Sequence, residues 1–197
     1  MAAGVTVNRH LLLFVAILLA VVGCASRQTG FASGENFMQP LPFPGDGWAP
    51  HRKNEDNIVH YRWLASGENG HIDTSIAIGL RRDISGYMEF DTNLGRSKCT
   101  NSERAIIANV QENGYPTATW YTRCELADGS VRSVLQKAIQ GQDSFYLIKR
   151  IWPALPTKAD YTAWRDYLET VAVCDTRRPG SCPADFVPQA IRRTTSQ

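Results

Sequence analysis

Cysteines are the residues whose spacing most clearly indicates chemistry in this 197-residue chain. Cys24 follows an apolar run near the amino terminus, and the other four lie far downstream, at Cys99, Cys124, Cys174 and Cys182. An even number of cysteines in an exported chain is typical of disulfides, and four cysteines allow three pairings. We favour Cys99–Cys124 and Cys174–Cys182, because both bonds close compact local loops.

A metal, redox or catalytic site is the alternative to disulfides. The chain has no CxxC motif, and His51, His60 and His71 are scattered instead of lying at metal-ligand spacing. Neither a G-x-S-x-G motif nor a glycine-rich phosphate loop occurs. We expect His60 and His71 on exposed strand positions. We also expect solvated faces for two candidate carboxylate pairs, Glu68 with Asp73 and Glu89 with Asp91. The sequence therefore predicts no catalytic residue, no metal site and no cofactor.

Pairs of adjacent basic residues are the strongest candidates for a binding surface. Arginine binds phosphate and carboxylate groups bidentately, so these pairs favour an anionic lipid or glycan as ligand. A Cys174–Cys182 bond would hold Arg177 and Arg178 in a rigid turn, which lowers the entropy cost of binding. The predicted surface consists of Lys149, Arg150, Arg177 and Arg178. Ordinary solvated strand ends are the alternative interpretation of these pairs.

The amino terminus has the features of a secretory signal. Residues 1–10 carry Arg9 and no acidic residue, and an apolar run of 12 residues follows from Leu11 to Val22. This run is shorter than the roughly 20 residues that a membrane-spanning helix needs. The exit sequence Val21-Val22-Gly23-Cys24 resembles the lipobox of bacterial lipoproteins. That resemblance implies cleavage after Gly23, a diacylglycerol thioether on Cys24 and an acylated amino terminus, with palmitate as a typical chain.

The lipobox resemblance also implies a location. Two or more acyl chains bind a bilayer stably, so the mature protein is expected to stay at a membrane. Residue 25 is Ala, whereas Asp at this position retains enterobacterial lipoproteins in the inner membrane. The resemblance therefore favours the periplasmic face of the outer membrane. We expect a signal peptide at 1–23, a lipidated terminus and flexible linker at 24–47, one globular domain at 48–182 and an irregular tail at 183–197.

Alternating apolar residues predict strands along much of the domain. The predicted strands are NIVHYRWLAS, HIDTSIAIGL, the shorter ISGYMEF, PTATWYTRCEL, VRSVLQKAIQ and DSFYLIKRIW. Two helices are predicted. The first begins at a capping box formed by Thr100 and Glu103 and ends at Asn113-Gly114. The second is capped by Thr157 and Asp160, with an apolar stripe at Tyr161, Trp164, Leu168 and Val171.

This order predicts an α+β domain with a mainly antiparallel sheet and two covering helices. The order, with the run LQKAIQGQDSFYLIKRIW followed by AWRDYLETVAVCD, resembles small proteobacterial lipoproteins of unassigned function and the PsbP-like α/β/α fold. The resemblance implies an accessory or binding role and supplies no active-site residue.

The function that we expect is therefore a non-enzymatic subunit of an envelope assembly, held at the membrane by its lipid and in contact with other envelope proteins. A periplasmic binder of anionic lipid or glycan is the alternative. The 21 basic and 19 acidic residues nearly balance, which argues against nucleic acid as a partner.

Overall fold

The computed structural model describes residues 34–55, 57–67, 70–80 and 82–184. The predicted signal peptide, Cys24 and most of the predicted tail lie outside the described residues. Within them, strands occupy β1 Glu35–Met38, β2 Ala49–Glu55, β3 Ile58–Leu64, β4 His71–Ile78, β5 Asn101–Glu112, β6 Tyr115–Glu125, β7 Val131–Gln140, β8 Ser144–Trp152 and β9 Ala172–Asp175. The helices are α1 Ile84–Lys98 and α2 Lys158–Thr170.

Seven strands form one antiparallel sheet in the order β2-β3-β4-β8-β7-β6-β5, and β1 pairs with β9 in a separate two-stranded sheet. Most neighbours in the large sheet are joined by short turns, as the alternating sequence pattern predicts. The prediction of an α+β domain with a mainly antiparallel sheet and two helices is confirmed.

Each helix covers a different face of the large sheet. On one side, which we call the α2 face, Trp164 and Leu168 of α2 pack against Ile72, Leu135 and Ile148. The two-stranded sheet covers the rest of this face, where Val173 packs near Ile139 and Tyr146. On the other side, which we call the α1 face, Ile84 and Tyr87 pack on Ala118, Trp120, Ala138 and Phe145.

The first predicted helix is wrong, and so is the strand predicted before it. Residues 84–98 form α1, and residues 101–112 form β5. The Thr100 hydroxyl donates to the Glu125 carbonyl, and Glu103 lies beside Arg123, so the supposed capping box makes cross-strand contacts. Asn113 and Gly114 both have positive φ, 52° and 81°, which is the backbone of a type I′ hairpin turn. The pair connects two strands and does not end a helix.

The second predicted helix is confirmed. The Thr157 side chain caps α2 by accepting a hydrogen bond from the Asp160 amide at 3.1 Å. The predicted stripe faces the sheet, with Trp164, Leu168 and Val171 buried. Five predicted strands are also confirmed, as β3, β4, β6, β7 and β8.

Part of the predicted flexible linker belongs to the fold. Residues 35–38 form β1 on β9, and the Phe43 ring is buried against Trp63, Trp164 and Tyr167. Leu41, two residues earlier, is exposed. The prediction of a tether up to residue 47 is therefore wrong for residues 35–47, because pairing with β9 and aromatic packing outweigh the high Pro and Gly content.

Both predicted disulfides are present. The Cα atoms of Cys99 and Cys124 are 5.4 Å apart, and those of Cys174 and Cys182 are 5.0 Å apart. The first bond ties the carboxyl end of α1 to β6, not the start of a helix at residue 100. The second closes the loop that follows β9.

Candidate functional site

The four predicted binding residues do not form one surface. Lys149 and Arg150 are neighbours on β8, and successive strand side chains point to opposite faces. Lys149 lies on the α1 face, 3.9 Å from Asp91. Arg150 lies on the α2 face and is 2% exposed, with its guanidinium over the rings of Trp48, Trp152 and Trp164. The prediction that Arg150 lies on an exposed binding surface is therefore wrong. Arg150 instead lines a cleft with Trp152 and Asp160 at the start of α2.

The Arg177–Arg178 turn is half-exposed, but both guanidinium groups have acidic partners. Arg177 donates two hydrogen bonds to the buried Asp175 carboxylate, at 2.9 and 3.0 Å, and lies 3.8 Å from Asp143. Arg178 lies 3.5 Å from Asp175 and stacks on Tyr115. The hydrogen bonds from Arg177 hold the pKa of Asp175 below its usual range. The positive charge of this turn is therefore largely offset within the domain.

A buried polar cluster lies next to this turn and joins β1 to the large sheet. Glu35 accepts hydrogen bonds from the Gln142 amide, at 2.6 Å, and from the Tyr146 hydroxyl, at 3.0 Å. Burial, with the nearby charges of Glu35 and Asp175, raises the pKa of Tyr115 to about 12. The two hydrogen bonds to Glu35 therefore tie β1 to β8 and to the turn that precedes it.

The α1 face carries the larger candidate site. Side chains directly opposite one another share a face of the sheet, and one row of partners runs His51–Arg62–Asp73–Lys149–Gln136. Helix α1 covers the end of this row that is formed by Lys149 of β8 and Gln136 of β7. The α1-side surface of β2, β3 and β4, which we call the open face, has no helix of the described chain packed over it.

Asp73 is the centre of the open face. The Arg62 guanidinium donates to both of its oxygens, at 2.8 and 2.9 Å. His60 Nε2 lies 3.4 Å from Oδ1, and His71 Nε2 lies 3.5 Å from Oδ2. Burial alone would raise the pKa of Asp73, but the hydrogen bonds and charges of His71 and Arg62 lower it well below its usual range. The open face thus holds an ionised carboxylate surrounded by a cation and two imidazoles.

Asp91 of α1 fixes the helix beside this surface. Its Oδ2 accepts hydrogen bonds from Trp120 Nε1, at 3.1 Å, and from Gln136 Nε2, at 2.9 Å. Lys149 and Arg104 each approach the carboxylate to 3.9 Å. The expectation that Asp91 lies on a solvated face is wrong, because the carboxylate anchors α1 to the middle of the sheet.

One side of α1 forms an apolar wall beside the open face. Tyr87 contacts Phe145 of β8 and Lys149 lies over its ring, so this side of the helix faces β8. Phe90 and Leu94 follow at helical spacing on the same side and remain 54% and 45% exposed. We call this side of α1, together with the open face, the α1 groove. It combines an aromatic and aliphatic wall with a charged floor.

Sequence reasoning missed the α1 groove because residues 84–90 read as a strand. The alternation in β4 does place Asp73 on the opposite face from the buried Ile72, Thr74 and Ile76, which was the available signal. Among residues 34–55, 57–67, 70–80 and 82–184, no group of three or more His, Cys, Asp or Glu side chains is arranged to hold a metal ion. In the same ranges, no helix has the length and apolar character to cross a membrane.

No protein-family model matches the sequence, and no curated protein matches it. Fifteen chains of solved structures are similar to it, among them two bacterial proteins. One is a protein of unknown function from Pseudomonas aeruginosa, titled a putative regulator, with 10% identity and a TM-score of 0.42; the match covers 64% of this chain and 97% of that one. The other is LpqN from Mycobacterium tuberculosis, titled as involved in cell envelope biogenesis, with 12% identity and a TM-score of 0.44. This match covers 74% of this chain and 86% of LpqN.

Proposed function

We propose that this protein is an exported lipoprotein, anchored through Cys24 to the periplasmic face of the outer membrane, that acts as a non-enzymatic subunit of an envelope protein assembly. The α1 groove is the surface through which it contacts its partner. The observation that carries this proposal is the pair of exposed apolar side chains on α1, Phe90 and Leu94, together with the ionic cluster around Asp73. Protein interfaces are enriched in aromatic residues and arginine at their centres, with polar groups at the rim.

Two features support export and a binding role. Disulfides persist in oxidising compartments such as the bacterial periplasm, and the domain has two of them. The polar groups of the groove are paired with one another, with Arg62 bound to both oxygens of Asp73. A surface of this kind offers charge complementarity to a partner.

Co-purification from native membranes tests the proposal. In mild detergent, the wild-type protein should retain a partner that the Phe90→Glu, Leu94→Glu double variant loses, because desolvating two carboxylates at an interface is costly. The matched control is Leu41→Glu with Leu155→Glu, which places the same charges on exposed leucines outside the groove. Mass spectrometry of the same preparation should give an amino-terminal peptide that begins at acylated Cys24. A Met1 terminus without lipid, or equal partner recovery from all three proteins, would contradict the proposal.

An anionic ligand is the second candidate, and the cations of the groove favour it. Arg62 and Lys149 lie in one row, and Arg82 stacks over Tyr87 and Phe90. At neutral pH, Asp73 and Asp91 offset two of these charges, so an anion must compete with Asp73 for Arg62. Binding of the protein to anionic vesicles at about 0.15 M salt, lost in Arg62→Gln, would favour this candidate over the protein partner.

A further inference from the structure

All three histidines that the structure describes lie on the open face of the sheet. His51 belongs to β2, His60 to β3 and His71 to β4. His51 lies directly opposite Arg62, so the two side chains share a face. Histidine is the side chain whose charge ordinarily changes between pH 5 and pH 8. The charge of the open face therefore depends on pH in this range.

Two of these histidines approach the same carboxylate at different oxygens. His60 Nε2 lies 3.4 Å from Asp73 Oδ1, and His71 Nε2 lies 3.5 Å from Oδ2. The Arg62 side chain, which donates to both oxygens, is 48% exposed. With neutral imidazoles, the single charges of Arg62 and Asp73 cancel. Protonation of both imidazoles adds two positive charges to this cluster without any change in the positions of its atoms.

The other charged groups that face the histidines keep their charges over this pH range. Lys53 of β2 makes an ion pair with Glu55. Lys149 of β8 lies 3.9 Å from Asp91 of α1, and Arg82 immediately precedes that helix. Carboxylates, ammonium groups and guanidinium groups ordinarily titrate well outside pH 5.5 to 7.5. Within the part of the chain that the structure describes, the histidines therefore set how the charge of the open face varies with pH.

The shape of this side of the domain favours a chain segment over a bilayer as the occupant. Helix α1 packs on the same side of the sheet, over Lys149 and Gln136, and an α-helix is about 10 Å in diameter. It therefore stands above the neighbouring open face, so a flat bilayer that rests on α1 stays clear of the histidines. An extended segment can lie beside α1, where its carboxylates meet His60, His71 and Arg62. Charge-assisted hydrogen bonds from arginine to carboxylates are among the stronger ones.

We infer that the open face binds an acidic segment of the partner protein, and that protonation of His60 and His71 strengthens this contact. At pH 7.5, Asp73 offsets the charge of Arg62, so the surface attracts carboxylates weakly. At pH 5.5, the two imidazolium groups make the cluster positive, and the charge complementarity favours an acidic chain. The identity of the occupant rests on the proposed function, whereas the attraction of carboxylates in acid is a property of this domain alone.

Binding of a labelled hexaglutamate peptide to the full-length protein in detergent tests this inference, with fluorescence anisotropy at pH 5.5 and pH 7.5 in the same salt. The ordinary pKa of glutamate is about 4.3, so the peptide stays mostly ionised at both pH values. The wild type should bind about tenfold more tightly at pH 5.5, because the added positive charges lie close to the bound carboxylates. His60→Gln with His71→Gln should lose most of this difference. Lys158→Gln, the control, removes an exposed cation at the start of α2 and should keep it.

Thermal unfolding at both pH values checks that the histidine variants fold. If the double variant does not fold, His60→Gln alone serves as the test, with an intermediate affinity expected at pH 5.5. Equal affinity of the wild type at both pH values would overturn the inference, and so would a double variant that keeps the full pH dependence. Tighter binding at pH 5.5 to a soluble short-chain phosphatidylglycerol than to hexaglutamate would also overturn it.

The same experiment separates this inference from the proposed function. If hexaglutamate does not bind while native membranes yield a partner that depends on Phe90 and Leu94, the inference about the histidines is wrong and the proposed function stands. If hexaglutamate binds as expected and no partner is recovered, the proposed function is wrong and the acid-dependent site stands.

Discussion

Arg62 and Asp73 face each other across β3 and β4, and the guanidinium donates one hydrogen bond to each carboxylate oxygen, at 2.8 and 2.9 Å. The pair lies on the surface of the sheet that α1 leaves open, with His60 and His71 on either side. The pair therefore joins β3 to β4 and also sets the charge at the centre of the proposed groove.

The pair makes stability depend on pH. Because the folded state lowers the pKa of Asp73, ionised Asp73 stabilises the fold above the ordinary carboxylate pKa of about 3.9. This contribution is lost as the pH falls from there towards the lowered pKa. Asp73→Asn should reduce the free energy of unfolding by about 1 kcal/mol at pH 7, a modest value because Arg62 is half-exposed. Urea unfolding from pH 5 to pH 2.5, where the histidines beside Asp73 keep the same charge throughout, should show the difference from wild type shrinking. A difference that grows over this pH range would contradict the assignment.

Asp91 should be required to hold α1 on the sheet. Asp91→Ala leaves the Trp120 and Gln136 side chains without their acceptor, which should cost about 2–3 kcal/mol. Hydrogen exchange should then accelerate in residues 84–98 and stay unchanged in β3 and β4. Glu89→Ala, which removes an exposed carboxylate two residues away, is the control and should have little effect. Equal protection of α1 in both variants would rule out the anchoring role.

Phe43 should behave as a core residue although it lies in a segment rich in proline and glycine. Its ring is 3% exposed, so Phe43→Ala should cost about 3–5 kcal/mol. Leu41→Ala removes an exposed side chain from the same segment and should be nearly neutral. The measurement is the midpoint of chemical denaturation of each variant. Similar midpoints would show that residues 39–47 do not belong to the folded unit.

The two disulfides should contribute different amounts to the free energy of unfolding. In the chain-entropy model, the 25-residue separation of Cys99 and Cys124 corresponds to about 3 kcal/mol, and the 8-residue separation of Cys174 and Cys182 to less. Replacing Cys99 and Cys124 by Ser should therefore lower the unfolding free energy more than replacing Cys174 and Cys182. Non-reducing peptide mapping of the wild type should give these two pairs, and a crossed pair would contradict the connection of α1 to β6.

The sequence predicts most strands, helix α2 and both disulfides, because each has a local signal. The strand alternation around Ile72, the cap at Thr157 and the loop between Cys174 and Cys182 are all short-range patterns. The wrong predictions come from sequence patterns that are compatible with both a helix and a β-hairpin. Asn113-Gly114 follows an apolar run in either a helix or a hairpin, and only the pairing of β5 with β6 decides between them.

Helix α1 was missed for a related reason. Its residues Ile84, Tyr87 and Met88 have helical spacing, but Gly86 and the polar residues around it give a weak stripe. The helix is stabilised by contacts that are distant in sequence, of which the hydrogen bonds from Trp120 and Gln136 to Asp91 are the clearest. The α1 groove depends on this helix, so it could not be predicted from local pattern. The prediction of one surface for Lys149 and Arg150 was avoidable, because strand alternation alone places these neighbours on opposite faces.

The central claim is that the α1 groove contacts a partner protein in the envelope. Site-specific photo-cross-linking in living cells tests it most directly, with the photoreactive residue placed at Phe90 in one strain and at Leu155 in another. The account predicts a discrete cross-linked product of the membrane fraction for Phe90 and none for Leu155. The same product from both positions, or no product at Phe90 from a protein that is folded and membrane-bound, would contradict it.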